Sequence, residues 1–138
     1  MNSFFAMLYD WFIYHDLFSI ELFDLGSYFH LGLIILSVSV LIMAIFYYAW
    51  NPTYGRWYHW LLMIVVSALI AAGISYAYLT ETLIAYTSNS QYPDTESFIL
   101  NMALVTALYT FLCSAISSFI IRIGSSKNKA NPFALRLR

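Results

Sequence analysis

The side chains that could do chemistry are few in this chain of 138 residues. Asp10, His15 and Asp16 lie close enough in sequence to bind a metal ion, but only if all three side chains converge on one point. His30 and His59 share no helical spacing with His15, so they add no ligands. The sequence also has no GxSxG, HExxH or Walker motif, no paired cysteines and no Gly-rich dinucleotide turn. We therefore expect no catalytic residue, no metal and no cofactor, and we predict that the protein is not an enzyme.

The longest pattern of polar side chains is a stripe of small and hydroxyl-bearing residues in the apolar run 97–121. On a helix with about 100° between residues, this small-residue stripe comprises Ala103, Thr106, Ala107, Thr110, Cys113, Ser114, Ser117 and Ser118. A weaker version in the preceding apolar run groups Ser67, Ala68, Ala71, Ala72 and Ser75. Small residues let helix backbones approach closely, and their hydroxyls can bond across helices or to their own turn. The stripe therefore predicts helix packing.

A face of serine and threonine hydroxyls can also line a water path that hydrophobic constrictions gate. Three helices cannot enclose such a path, so its lumen would have to lie between subunits. This alternative stays open beside packing alone, and it would make oligomerisation obligatory.

Three uncharged runs must position these faces, at 29–50, 58–79 and 97–121. The chain is 62% hydrophobic and 9% charged, whereas soluble domains carry about 25% charged residues. Each run reaches the roughly 20 residues that a helix needs to cross a bilayer core. Lipid cannot satisfy backbone groups, and the runs lack the strict alternation of barrel strands, so helices are the expected form. We predict an all-α integral membrane protein with a three-helix transmembrane domain, 29–122.

The stretch WNPTYGRWYHW, residues 50–60, separates the first two runs. Trp and Tyr rings concentrate where hydrocarbon meets lipid head groups, because each ring has an apolar body and a polar tip. Asn51-Pro52 would end the first helix and Gly55 would let the chain reverse. The stretch predicts a tight hairpin whose interface anchors are Trp50, Tyr54, Arg56, Trp57, Tyr58 and Trp60.

The charges fall on opposite sides of a three-span topology. Arg56 lies in the hairpin and the other basic residues follow the third run, whereas every carboxylate precedes the first run or lies between the second and third. Because Lys and Arg next to spans stay cytoplasmic, we predict an external N-terminus and a cytoplasmic C-terminus, in a bacterial inner membrane. The basic tail, 123–138, would contact anionic head groups or a cytoplasmic partner. We expect no nucleic-acid partner.

The segment 1–28 is apolar but carries charges too often to span a membrane. We predict that 4–24 is largely helical, with a break near His15 and Asp16, and lies parallel to the membrane in the external interface. Its shielded residues would be Phe4, Leu8, Trp11 and Phe12, with Asp10 exposed to water. Because the segment has no basic residue to hold anionic lipid, docking on the protein's own helices or on a neighbouring subunit is favoured over docking on lipid alone.

Two functions fit this sequence. The first is a non-catalytic, self-associating scaffold or accessory subunit of a membrane complex, which makes its contacts through the small-residue helix faces and the outer amphipathic helix. The second is a homo-oligomeric channel or membrane-permeabilising protein, such as a toxin or defence effector. The plan of three spans, external N-terminus and basic internal C-terminus resembles that of class I phage holins, which would imply membrane permeabilisation. The resemblance is one of layout, because no motif supports it and the aromatic outer segment departs from the holin pattern.

Overall fold

The structure, a computed structural model, describes residues 1–13, 16–49, 57–84 and 94–124. These residues form five α-helices, namely α1 (Asn2–Asp10), α2 (Asp16–Asp24), α3 (Ser27–Ala44), α4 (Trp57–Thr82) and α5 (Thr95–Gly124). A π-helical turn, Ile45–Ala49, continues α3. The described part of the chain contains no strand, which confirms the predicted all-α fold.

Three helical segments are long and apolar enough to cross a membrane, Ser27–Tyr48, Tyr58–Thr82 and Thr95–Ile121. They contain 22, 25 and 27 residues, and about 20 suffice for a bilayer core. The first begins slightly before the predicted run, because Gly26 adopts the left-handed conformation, with φ 69°, and separates it from α2. The chain is therefore a helical membrane protein.

The three long helices alternate in direction. The Tyr78 hydroxyl, near the end of α4, donates to the Ser27 hydroxyl at the start of α3 at 3.3 Å. Leu83, just after α4, packs in the same cluster as Phe98 at the start of α5. Helices α3 and α5 therefore begin where α4 ends. We call this the acidic end, because every Asp and Glu of the chain belongs to α1, α2, the last turn of α4 or the first turn of α5, or immediately precedes α5.

Large apolar side chains fill the two ends of the bundle. The cluster at the acidic end includes Phe18 and Leu22 of α2, Leu31 of α3, Leu79 of α4 and Ile99 of α5. The cluster at the opposite end is formed by Met43, Phe46, Tyr47, Trp60 and Ile64. Between the clusters, the buried residues are mostly small or hydroxyl-bearing. The middle of the bundle is therefore where the helix faces singled out by the sequence lie.

Helices α1 and α2 pack across the acidic end. The break between Asp10 and Asp16 falls at the predicted place, although residues 14 and 15 lie outside the described part of the chain. The side chains of Ala6 and Tyr9 in α1 are buried against the bundle, and so are those of Phe18 and Leu22 in α2. The N-terminal segment thus docks on the protein's own helices.

The face by which α1 docks differs from the expected one. Phe4, Trp11 and Phe12 are 63%, 80% and 56% exposed, so described protein atoms do not shield them. Ala6 and Tyr9 face the bundle instead, because a small residue and a hydroxyl-bearing ring fit the narrow space beside α3 and α5. The bulky apolar residues of α1 therefore remain available to lipid or to another protein.

Asp10 also differs from the expected position. Its side chain is half-buried, whereas the sequence led us to expect exposure to water. The buried Tyr28 hydroxyl donates a hydrogen bond of 3.0 Å to the Asp10 carboxylate. This bond gives the buried Tyr28 phenol the acceptor that it needs, and it holds the Asp10 carboxylate partly within the protein.

Candidate helix-packing site

The small-residue stripe of α5 lies inside the three-helix bundle. Thr106, Thr110, Ser114 and Ser118 are fully buried and Ala103 is nearly so, whereas Ala107 and Ser117 at the edges of the stripe are half-buried. The fully buried members are four residues apart, so they lie above one another on one helix face. This face is the one that α5 turns towards α3 and α4.

Hydrogen bonds within α5 satisfy part of the stripe. The Thr110 hydroxyl donates to the Thr106 carbonyl at 2.7 Å, and the Thr106 hydroxyl donates to the Met102 carbonyl at 2.9 Å. The Ser118 hydroxyl donates to the Ala115 carbonyl at 2.6 Å. Such bonds to the preceding turn let hydroxyl groups enter an apolar interior without an unsatisfied donor.

One bond joins the stripe to the facing stripe of α4. The Ser67 and Ser114 hydroxyl oxygens are 2.7 Å apart, and Ser67 also donates to the Ile64 carbonyl at 2.7 Å. Because Ser67 has one hydroxyl hydrogen, Ser114 is the donor between them. Two side chains this short can meet only where the α4 and α5 backbones approach closely. The small-residue faces therefore meet within one chain.

The rest of the α4 face is buried against the same interior. Ala71 and Ser75 are fully buried, like Ser67. The Ser39 hydroxyl of α3 reaches the Thr110 carbonyl at 3.4 Å, which brings the third helix to the same level. The Ser75 hydroxyl has no hydrogen-bond partner among the described residues.

Helix α1 joins the stripe through Tyr9. Its hydroxyl lies 2.7 Å from the Thr106 hydroxyl oxygen, and Tyr9 is the donor because the hydrogen of Thr106 is already given to Met102. Burial raises the pKa of the Tyr9 phenol, since the phenolate would lose its hydration. The hydroxyl is therefore protonated at neutral pH and can keep donating this bond.

A second tyrosine caps α1. The backbone N–H of Phe12 bonds to the Tyr9 carbonyl at 3.0 Å, as in a tightened last turn. The Tyr109 hydroxyl of α5 donates to the Leu8 carbonyl at 2.7 Å. The last carbonyls of a helix lack partners within the helix, and lipid offers none. Tyr109 supplies the missing donor to α1.

Asn2 ties the other end of α1. Its Nδ2 donates to the Phe23 carbonyl at 2.8 Å, and its Oδ1 accepts from the Phe29 backbone N–H at 3.0 Å. One side chain thus links the start of α1 to the end of α2 and the first turn of α3. The arrangement fixes how the two short helices sit on the bundle.

Gly32 provides the surface on which α1 rests. A Cβ atom at this position of α3 would overlap the ring of Phe5. Gly32 is fully enclosed in the structure. A side chain at this position would require the Phe5 ring to move, so glycine lets α1 dock with this ring against α3.

The predicted interface anchors divide into three groups. Trp50, Tyr54 and Arg56, and the side chain of Trp57, lie outside what the structure describes. Tyr58 is 45% exposed at the start of α4, and its role as an interface anchor stays a prediction. Trp60 is only 6% exposed and belongs to the cluster at the end opposite α1. It lies on the same face as Ile64 and Ser67, so it packs against protein rather than projecting into lipid.

The described residues contain no group of three side chains that could hold a metal ion. His15 and the side chain of Asp16, two of the three candidate ligands, lie outside the described residues.

Comparison of the chain with protein-family models, with characterised proteins and with solved structures found no match.

The residues that hold α1 were missed at the sequence level. Tyr9, Tyr109 and Asn2 carry no local signal, because each bonds to a segment distant in sequence. Gly32 offered one signal, since a glycine within an apolar span often marks a close approach of another element. The element that approaches it could not be named from the sequence.

Proposed function

We propose that this protein is a non-catalytic integral membrane scaffold or accessory subunit, which associates with itself or with a larger complex. The observation that carries the proposal is the burial of the small-residue stripe. Its central hydroxyls are enclosed by α3 and α4 and hydrogen-bonded within the chain. Polar groups used in this way stabilise one chain's fold and leave none of the central hydroxyls to line a water path between subunits.

Of the two surfaces that the sequence suggested for association, the small-residue helix faces and the outer helix, the outer helix is therefore the one that remains available. The small faces of α4 and α5 are occupied within one chain, so contacts with other chains must use exposed residues. The outer helix α1 and the residue that follows it supply such a surface through Met7 and Trp11, which are 68% and 80% exposed. Because Asn2, Tyr9 and Tyr109 hold α1 in place, this surface is pre-organised, which lowers the entropic cost of binding. Tryptophan is also among the residues that most often carry binding energy at interfaces.

The proposed orientation places the acidic end outside and the basic tail in the cytoplasm of a bacterial inner membrane. Its support is the separation of carboxylates from Lys and Arg across the three spans. Helices α1 and α2 would then lie at the external face.

The experiment that tests the function compares particle mass with membrane permeability. The protein is purified in mild detergent, its particle mass is measured by light scattering, and the same particle is reconstituted into liposomes for ion-flux measurements. We expect an oligomer that leaves the liposomes sealed. Leakage through a purified oligomer would favour the homo-oligomeric channel instead.

Cysteine labelling supplies a second readout. In a Cys113→Ala background, Ser114→Cys should resist water-borne thiol reagents, because this position is buried in the bundle. An engineered cysteine at Ser88, in the segment between α4 and α5, serves as the reactive control. Rapid reaction at position 114 in an intact oligomer would contradict the scaffold and support a water-filled path.

A further inference from the structure

A pocket lies between α1, α3 and α5. Its volume is about 310 Å³, at the lower end of the roughly 300–1,000 Å³ typical of ligand sites. Its walls include Phe4 and Leu8 of α1, Ile35 and Leu36 of α3, and Cys113 of α5. Helix α1 packs on Gly32 and accepts a hydrogen bond from Tyr109. It therefore lies beside α3 and α5 without filling the space between them and itself.

The walls of this pocket are apolar. Among the described residues that line it, none contributes polar surface. Tyr9 and Tyr109 border the pocket, but their hydroxyls are bonded to Thr106 and to the Leu8 carbonyl. A buried water molecule needs two to four polar partners. Water is therefore not a suitable occupant, and an empty pocket would leave its lining without dispersion contacts.

The pocket is continuous with the lipid-facing surface of the spans. Phe4 and Leu36, at its edge, are 63% and 49% exposed. Leu36 lies well inside the span Ser27–Tyr48, and Cys113 lies well inside Thr95–Ile121. At this depth the surroundings of a membrane-spanning helix are hydrocarbon. The molecules that meet the mouth of the pocket are therefore phospholipid acyl chains.

We propose that the pocket binds one acyl chain of a phospholipid from the leaflet in which α1 lies. The lipid acyl chain contacts Leu8 on one side and Ile35 and Cys113 on the other, so it joins α1 to the bundle. This site does not depend on the proposed scaffold function, since a channel with the same fold would contain it too.

Photolabelling of the unmodified protein tests the site directly. The protein is reconstituted with a phospholipid that carries a diazirine in the middle of one acyl chain, irradiated, and digested for mass spectrometry. Leu36 and Cys113 should be labelled several-fold more than Leu104 and Leu112, which are also exposed on α5 but lie outside the pocket. Equal labelling of all four positions would overturn the proposal. Labelling of Leu104 and Leu112 alone would also overturn the proposal. That result would indicate that a protein segment fills the pocket.

A filled-pocket variant gives an independent test. Native mass spectrometry in mild detergent should find a phospholipid retained by the wild-type chain. Cys113→Phe places a ring in the pocket and should lower lipid occupancy about tenfold, the equivalent of about 1.4 kcal/mol. Leu112→Phe adds the same kind of ring on the outside of α5 and should retain lipid like wild type. Circular dichroism checks that both variants remain helical. Equal retention by a folded Cys113→Phe and wild type would overturn the site.

Discussion

The Tyr109 hydroxyl donates a hydrogen bond of 2.7 Å to the Leu8 carbonyl, across 101 residues of sequence. This bond joins the middle of a membrane-spanning helix to the last turn of a short helix that does not span. It supplies a donor where lipid has none, so the carbonyl end of α1 can lie against α5 in apolar surroundings. The N-terminal helix is therefore part of the folded membrane domain.

Removing this donor should loosen α1. Tyr109→Phe leaves the partly buried Leu8 carbonyl without its side-chain partner, at a cost of about 1 kcal/mol. Hydrogen exchange in detergent should show faster exchange of the amides in 2–10, with α4 and α5 unchanged. Tyr76→Phe is the matched control, because Tyr76 is 45% exposed on α4. Equal effects of the two substitutions would mean that the cap contributes nothing.

A side chain at Gly32 should displace α1. Gly32→Val overlaps the Phe5 ring, and overpacking typically costs about 1–3 kcal/mol, or roughly 5- to 150-fold in an equilibrium. Gly73→Val is the control, because no described atom lies within 4 Å of a Cβ at that position. Thiol labelling of an engineered cysteine at Ala6, whose side chain is buried between α1 and the bundle, reports release. Adding Phe5→Ala to Gly32→Val should restore protection, and failure to do so would argue against this contact.

The docking of α1 should weaken only at high pH. Burial raises the pKa of Tyr9 above its ordinary value of 10.0, so folding favours the protonated phenol. Its contribution to stability is then complete below pH 10 and decreases as the pH rises further. Hydrogen exchange of α1 compared between wild type and Tyr9→Phe should show a smaller alkaline response in the variant. Release of α1 between pH 6 and 8 would require another titrating group.

Enlarging the stripe should damage the bundle. Ser114→Leu forces an isobutyl group into the contact with Ser67, and overpacking of this kind costs about 1–3 kcal/mol. Thr110→Leu should act in the same way. Leu108→Ala and Leu112→Ala, on the exposed face of α5, should have smaller effects on thermal unfolding in detergent. If the exposed-face variants are the more damaging pair, the stripe is not the principal packing surface.

The orientation predicted from charge has a direct assay. Cysteines engineered at Ser88 and Ser125 should react with impermeant reagents from opposite sides of the membrane, with Ser88 external. Reporter fusions should place the C-terminus in the cytoplasm. Labelling of both cysteines from the same side would show that an even number of spans separates them, which would contradict the three-span topology.

The positions of the three long helices could be derived from the sequence, because a segment that crosses lipid must satisfy its own backbone hydrogen bonds. Uncharged runs of sufficient length must be helices, and their positions agree with α3, α4 and α5 apart from a few residues at the ends. The face of α5 that carries Thr106, Thr110 and Ser114 could be identified in the same way, because helical periodicity places these residues together. The break after Asp10 followed from the change in pattern near His15.

Tertiary structure alone decided what those faces contact. A small-residue face is equally suited to a helix of the same chain, a helix of another chain, or water, and only the packing of α4 against α5 shows that Ser114 meets Ser67. The docking face of α1 was likewise beyond the sequence, since hydropathy favoured the face of Phe4 and Trp11 whereas Ala6 and Tyr9 are the residues buried against the bundle. Ala6 and Tyr9 turn inward because Gly32, Thr106 and Tyr109 provide a space and two hydrogen bonds at matching positions. These partners come from distant segments, so their complementarity exists only once the helices are packed.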